Sequence, residues 1–213
     1  METDGSLSLI ASKKSNVRNP DGLKGKNISV SGNTFVEYAT DEVMKRACLH
    51  PGEVNKPEIN NISLRLMMLE DGQISASFLP GPATAIALNN GHTALLNTRQ
   101  MGLRCTGIVF SEKAITEKDE EIRRFITGYN LGVKYLQTRP QNEWTEILVK
   151  EFGLQEKAAM QIDLPDYRPA TRPSYHDIEK IIAWLKSKGA IPDYYPGENL
   201  VDTTFIPGTL KPQ

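Results

Sequence analysis

Cysteine and histidine are scarce in this chain of 213 residues, which has two cysteines, Cys48 and Cys105, and three histidines, His50, His92 and His176. Two cysteines are too few for a disulfide framework, and neither they nor the histidines stand at metal-ligand or nucleophile spacing. Cys48 and Cys105 read as buried small hydrophobes, and the histidines as surface residues. An excess of either charge is also missing: the formal net charge is -1. That leaves no basic face for nucleic acid. No apolar run approaches the ~20 residues that span a bilayer. The first residues lack a basic stretch followed by an apolar core, so the chain as it stands reads as soluble, without an export signal. Gly-x-Ser-x-Gly elbows, Walker loops and dinucleotide fingerprints do not occur. The reading is therefore of a protein that is not an enzyme, with no catalytic residue, no metal and no cofactor assigned.

What the chain does have is ordinary globular composition, with 39% hydrophobic and 24% charged residues, arranged as alternating strand and helix signals. Its organising stretch runs from Pro20 to Tyr38. Pro20, Asp21 and Gly22 form a turn, Ile28 and Val30 alternate as a strand, and Gly32 is expected to let the backbone turn sharply. Thr34 then reads as a helix N-cap, with Glu37 closing a capping box. A helix N-terminus delivered straight after a strand offers amides to a polar or anionic group.

Leu7 to Ala11 reads as a short strand so early in the chain that its neighbours must come from later residues or another molecule. The helix from Thr34 turns Val36, Ala39, Val43 and Ala47 inward. A second helix, Asn60 to Leu69, is expected to bury Leu64, Met67 and Met68 and to stop at Gly72. Ile74 to Leu79 is a strand, and Pro80, Gly81 and Pro82 turn it into an alanine-rich helix, a second glycine corner. Leu103 to Ser111 reads as an apolar strand. Beyond it helices dominate: one boxed by Thr116 and Asp119 with the stripe Ile122, Phe125, Ile126, Tyr129, Val133 and Leu136, one from Asn142 to Phe152 ending at Gly153, and one boxed by Ser174 and Asp177 with Ile178, Ile181, Ile182 and Leu185 inward. A loop from Asp163 to Pro173 is rich in proline, arginine and tyrosine.

In this order, the stretches GLKGKNISVSGN (Gly22 to Asn33), LEDGQISASFLPGPATAIALNNG (Leu69 to Gly91), GIVFSEKAI (Gly107 to Ile115) and NLVDTTFIP (Asn199 to Pro207) resemble the nitrate/sulfonate/taurine-type substrate-binding proteins of ABC importers, a group that includes thiamine-precursor binders. The resemblance implies an α/β fold of the type II periplasmic-binding-protein-like class. One small lobe would be complete, residues 12–101, while 1–11 and 102–213 would supply crossing strands and the C-terminal helical half of the other lobe. Solute would be held in an interlobe cleft lined by Ser31, Gly32, Asn33 and Thr34 at one corner and by Pro80, Gly81 and Pro82 at the other. It further implies a small-molecule ligand, an ABC permease as partner and a periplasmic or extracellular membrane-associated location. Two places depart from the family pattern. Ser75-Ala76 stands where Asp-Ala is common, and Gly81-Pro82 where Glu-Pro is common.

By the same resemblance the first half of one lobe has no counterpart before Met1. The chain is then expected to be a fragment, an internal-start product or the partner of a separate chain. Apolar faces led by Ile122 and Ile178 would lie open, and a homodimer or swapped dimer would cover them. The alternatives are a cytoplasmic effector-sensing module of the same fold, and a pyrimidine-precursor biosynthesis enzyme, whose expected histidine and cysteine cluster is not found here.

Overall fold

A computed structural model describes residues 2–3, 5–104, 106–152, 155–160, 162 and 164–206. Cys105, Gly153, Asp163 and Pro207, on which parts of the sequence reading fall, lie outside the described residues. In chain order the elements are β1 (Glu2–Thr3), β2 (Leu7–Ala11), β3 (Ile28–Ser29), α1 (Phe35–Arg46), α2 (Ile62–Asp71), β4 (Ala76–Pro80), α3 (Gly81–Asn89), β5 (Thr93–Asn97), β6 (Thr106–Gly107), α4 (Glu112–Glu117), α5 (Asp119–Thr138), α6 (Gln141–Phe152), α7 (Glu156–Met160) and α8 (Tyr175–Ser187). This is the mixed α/β class expected. No described helix is long and apolar enough to cross a membrane. The chain divides into two compact units.

One unit is Asp4–Arg104 with Gln161–Pro165. Its sheet has the order β3-β4-β2-β5. The early strand β2 finds its neighbours later in the chain, pairing antiparallel with β4 and with β5, while β3 and β4 run parallel. The sheet's outer edge is continued by isolated parallel bridges from Asn27 to Asn55 and from Val30 to Glu58. Ile10 and Leu79 meet Leu69, Ile74, Ala83 and Ala87 on the face carrying α2 and α3. Leu9 lies opposite Phe78 on the other face, where α1 buries Tyr38, Ala39 and Val43. The placement follows from crossover hand. The chain leaves β3 through α1 toward the outer edge and returns through α2 to β4, and right-handed crossovers in opposite directions put the two helices on opposite faces. With both faces covered, β4 reads as a continuous buried run.

Local signals set most of these elements. Gly72 ends α2 in the left-handed conformation at φ 77°, where a Cβ would be strained. Three expectations fail in this unit. Leu64 and Met67 are exposed, 41% and 55%, and the inward residues of α2 are Arg65 and Leu69, with Leu66 and Met68 packed beside them. The helix is apolar almost all round, so hydropathy alone cannot orient it. Cys48 is exposed, in a left-handed residue at φ 53° just past the end of α1. His92 is buried because its Nδ1 accepts from the Lys13 amide at 3.0 Å. That bond puts the ring proton on Nε2, 3.0 Å from Glu70 Oε2, within pairing distance though outside good hydrogen-bond geometry. Asn90 Nδ2 donates to the other oxygen of Glu70, so the ends of α2 and α3 are tied to each other beside the residues that follow β2.

The other unit is Met1–Thr3, Cys105–Met160 and Asp166–Gln213. The apolar run Leu103 to Ser111 forms a strand only at β6, which pairs with the two residues of β1. Beyond β6 the run has no strand partner among the described residues, and Val109 is 92% exposed. Thr116 does not cap a helix. It lies in the last turn of α4, and its hydroxyl donates back to Glu112 O and Lys113 O. Ser111 is the cap of α4 instead, accepting from Ala114 N at 3.2 Å. Ser174 stands at the N-cap of α8 without a side-chain cap bond, and only Ile182 of its expected stripe is fully buried. Ile122 is not open to solvent. It packs with Ile126, Ala170 and Phe205, so the loop and the tail cover this part of α5, while Phe125 of the expected stripe stays 48% exposed. Arg123 stacks over the Phe205 ring at 5.2 Å, and Phe110 meets Phe125 edge-on at 5.6 Å.

Candidate functional site

Because β3 and β4 are parallel neighbours paired as Ile28 with Ala76 and Ser29 with Ser77, their carboxyl ends emerge side by side. Residues 31–34 and 80–82 therefore gather at one end of the sheet. The helices that follow leave to opposite faces, α1 one way and α3 the other. That divergence opens a crevice of the kind in which open α/β sheets hold ligands. β2 runs antiparallel to β4 with Leu7 opposite Pro80, so Ser6 and Ser8 reach the same end.

At the first corner Ser31 Oγ donates to Asn60 Oδ1 at 2.6 Å. Thr34 Oγ1 donates to Ser31 O at 2.7 Å and accepts from Val36 N at 3.2 Å. Thr34 is thus the N-cap of α1, as expected, but the capping box is displaced by one residue. Glu37 Oε2 accepts from Asn33 N at 2.8 Å, not from Thr34. The sharp turn is also shifted. Asn33, at φ 55°, takes the left-handed conformation, which asparagine tolerates better than most residues. A Cβ at Gly32 would lie 2.9 Å from Glu58 Oε1, the far end of a flexible side chain. Two carboxylates, Glu37 and Glu58, stand at this helix end.

The second corner is built differently. Pro80 occupies the N-cap of α3 and offers no side-chain acceptor, and no acidic residue lies in the first turn. Gly81 is the first helical residue, and Pro82 sits in the first turn, where its missing amide costs nothing. Beside this corner is a cavity of about 390 Å³ lined by Ser6, Ser8, Gly81, Thr84, Ala85, Leu88 and Asn89. Of the expected site residues only Gly81 lines it. Ser6 and Ser8 were missed because the β2–β4 pairing that brings them there is antiparallel and nonlocal, whereas Thr84 lies three residues into α3 from Gly81 and was overlooked locally. Among the described residues no group of histidine, cysteine and carboxylate side chains is placed to hold a metal.

The sequence pattern of the family described as NMT1/THI5 like matches residues 4–143. Among curated sequences none matches. Solved structures with the same fold include the alkanesulfonate-binding protein SsuA from Xanthomonas axonopodis pv. citri bound to MOPS, at TM-score 0.69 and 16% identity over 90% of this chain and 67% of that one. The periplasmic aliphatic sulphonate binding protein SsuA from Escherichia coli aligns at TM-score 0.71 and 10% identity over 94% of this chain and 66% of that one. The desulfurization enzyme DszB aligns at TM-score 0.65 and 11% identity over 94% and 74%. The chain thus spans about two thirds of the length of the two binding proteins. At these identities the structures establish the fold, the periplasmic-binding-protein-like α/β architecture expected from the motif order. With the family pattern covering well over half of its length, the chain belongs to the NMT1/THI5 like family.

Proposed function

We propose that this chain is the solute-binding component of an ABC importer and captures a small polar or anionic metabolite without turning it over. The observation that carries the reading is the pair of adjacent parallel strands whose carboxyl ends diverge into helices on opposite faces. This crevice gathers amides and short hydroxyls at residues 31–34 and 80–82, with Ser6, Ser8 and Thr84 beside them. Such groups recognise oxygen-rich solutes without supplying a nucleophile or a general base. On this reading the chain works outside the cytoplasmic membrane and hands its solute to a permease. The lobe of residues 12–101 then carries the contacts at 31–34, 80–82 and Thr84, and Ser6 and Ser8 join it from the start of β2.

Likeness to DszB supports a second reading, in which the same scaffold performs a reaction. One experiment separates the two. Calorimetric titration with a panel of alkanesulfonates, nitrate, pyrimidines and neutral polar solutes is expected to give saturable 1:1 binding of at least one. Mass spectrometry of that solute after long incubation is expected to return it unchanged. Conversion would favour the enzyme, and failure of every solute to bind would overturn both the transport reading and its site.

A further inference from the structure

Arg65 is the exception in the interior of the sheet unit. It lies on the inward face of α2 at 3% exposure. Its Nη1 donates to Phe78 O at 3.1 Å, while its Nε is buried with no hydrogen-bond partner. None of the ion pairs among the described residues includes it. Interior guanidinium groups are ordinarily matched by a carboxylate, because a buried unpaired charge is strongly unfavourable. Burial accordingly pulls the Arg65 pKa below the ordinary arginine value.

Its position explains what the charge is for. Ala76 N bonds Asn27 O across the β3–β4 ladder, so two residues on, the polar groups of Phe78 face the β3 side as well. The ladder ends at Ser29 and Ser77. Phe78 O therefore lies just past the last pair, where the two strands part, and the guanidinium sits at the base of the crevice. Three residues beyond Phe78, α3 begins with neither a side-chain cap nor an acid in its first turn. A cation with an unsatisfied N–H and an uncapped helix N-terminus thus converge on the carboxyl end of β4.

We propose that Arg65 is the charge anchor of the site, pairing through Nε–H and the neighbouring Nη with an oxyanion group of the solute, such as a sulfonate or carboxylate. The assignment rests on the binding reading above and narrows it to anionic solutes. The long side chain reaches the anion by a rotamer change about its stem, and the planar fork makes the pairing bidentate. Glu37 and Glu58 hold the anion away from the α1 end.

The test uses ethanesulfonate and its neutral counterpart ethanesulfonamide, titrated calorimetrically into the wild-type chain and Arg65→Met, with the Arg65 Nε–H resonance of the wild type followed by NMR. Ethanesulfonate is expected to bind the wild type and move that resonance to saturation. Arg65→Met is expected to lose affinity for it by about tenfold to a hundredfold, with ethanesulfonamide affected less than twofold. Ethanesulfonate affinity within twofold of wild type in Arg65→Met would overturn the assignment and leave the binding reading intact. Should Arg65→Met fail to fold by circular dichroism, the wild-type resonance decides, and a stationary peak at saturating ethanesulfonate overturns the assignment. Binding of only neutral solutes from the panel also overturns it, whereas failure of the whole panel removes the binding reading itself.

Discussion

The two strand-to-helix corners of the sheet unit begin from the same local signal, a glycine after a buried strand, and finish their helix N-termini in opposite ways. At α1 the chain satisfies itself. Thr34 takes the Val36 amide, Glu37 takes the Asn33 amide and Glu58 crowds Gly32. At α3 no side chain caps the first turn, and the Arg65 guanidinium reaches in from α2 to Phe78 O at the end of the preceding strand. A helix end already holding carboxylates repels an anion, and one without them attracts it. On the proposed reading, which corner is receptive depends on Glu37, Glu58 and Arg65.

The largest effect that would break the comparison comes from removing the support of one corner. Leu79 is fully buried, packed against Ile10, Ala83 and Ala87. Leu79→Ala is expected to cost about 2–5 kcal/mol and to raise hydrogen exchange in β4 and α3 while α1 keeps its protection. Equal loss of protection at both corners would show that they unfold as one, and the contrast would lose its energetic basis. Next comes Glu37→Ala, which strips the acceptor from the Asn33 amide and is expected to cost about 1–3 kcal/mol. An unchanged melting temperature would mean that the first corner does not depend on its own carboxylate.

The contrast can be sharpened by giving α3 the cap it lacks. Pro80→Asp adds an acceptor and a negative charge at the helix N-terminus, together about 1–1.5 kcal/mol, and gives up about 0.4–1 kcal/mol of proline stiffening. A small net gain in melting temperature is expected, and a loss would show that the α3 amides are already satisfied. A pH titration probes the other end of the same helix. Burial pushes the Glu70 carboxyl up, but the hydrogen bond from Asn90, the adjacent His92 ring and the Lys13 charge outweigh it and hold the group below its ordinary value. A lowered folded pKa contributes stability that is present above the unfolded value, about 4.3, and is lost as pH falls through the folded one. Glu70→Gln is expected to be less stable at neutral pH and to converge with wild type in acid. Parallel curves would rule out the Glu70 contribution.

Much of what depends on neighbours in sequence was legible, although the Thr34 box came out one residue displaced and the box read at Thr116 did not form. The Thr34 cap, the Gly72 stop and the Pro-Gly-Pro start of α3 each involve residues within about one turn, and the strands around them followed from short buried runs. The motif order carried the fold because it records several such units at once. His92 and Arg65 were not legible for the opposite reason. Each is buried only because an acceptor or donor distant in sequence, the Lys13 amide for one and Phe78 O for the other, meets it there. Leu103 to Ser111 failed on pairing: a strand requires a partner, and β1 supplies two residues. Both corners were found as candidate ligand sites, but the difference between them was invisible, since it lies in Glu58 and Arg65 and in the hydroxyls that antiparallel pairing brings alongside.

The smallest effect tests whether Gly32 matters for shape or for charge. Its φ does not demand glycine, and the obstacle to a Cβ is the carboxylate of Glu58 at 2.9–3.1 Å. Glu58 is exposed and is held at that end by Asn60 Nδ2 at 3.3 Å, so it can swing outward at little cost. Gly32→Ala is expected to change stability by less than about 0.5 kcal/mol, the range of ordinary surface substitutions, while moving one negative charge away from the α1 N-terminus. If Glu58 is what keeps anions from this corner, Gly32→Ala will gain a weak sulfate-induced melting shift that wild type shows less strongly. Equal sulfate responses would mean that Glu37 alone closes the first corner, and a loss of several kcal/mol would mean that the backbone at Gly32, not the carboxylate beside it, sets the turn.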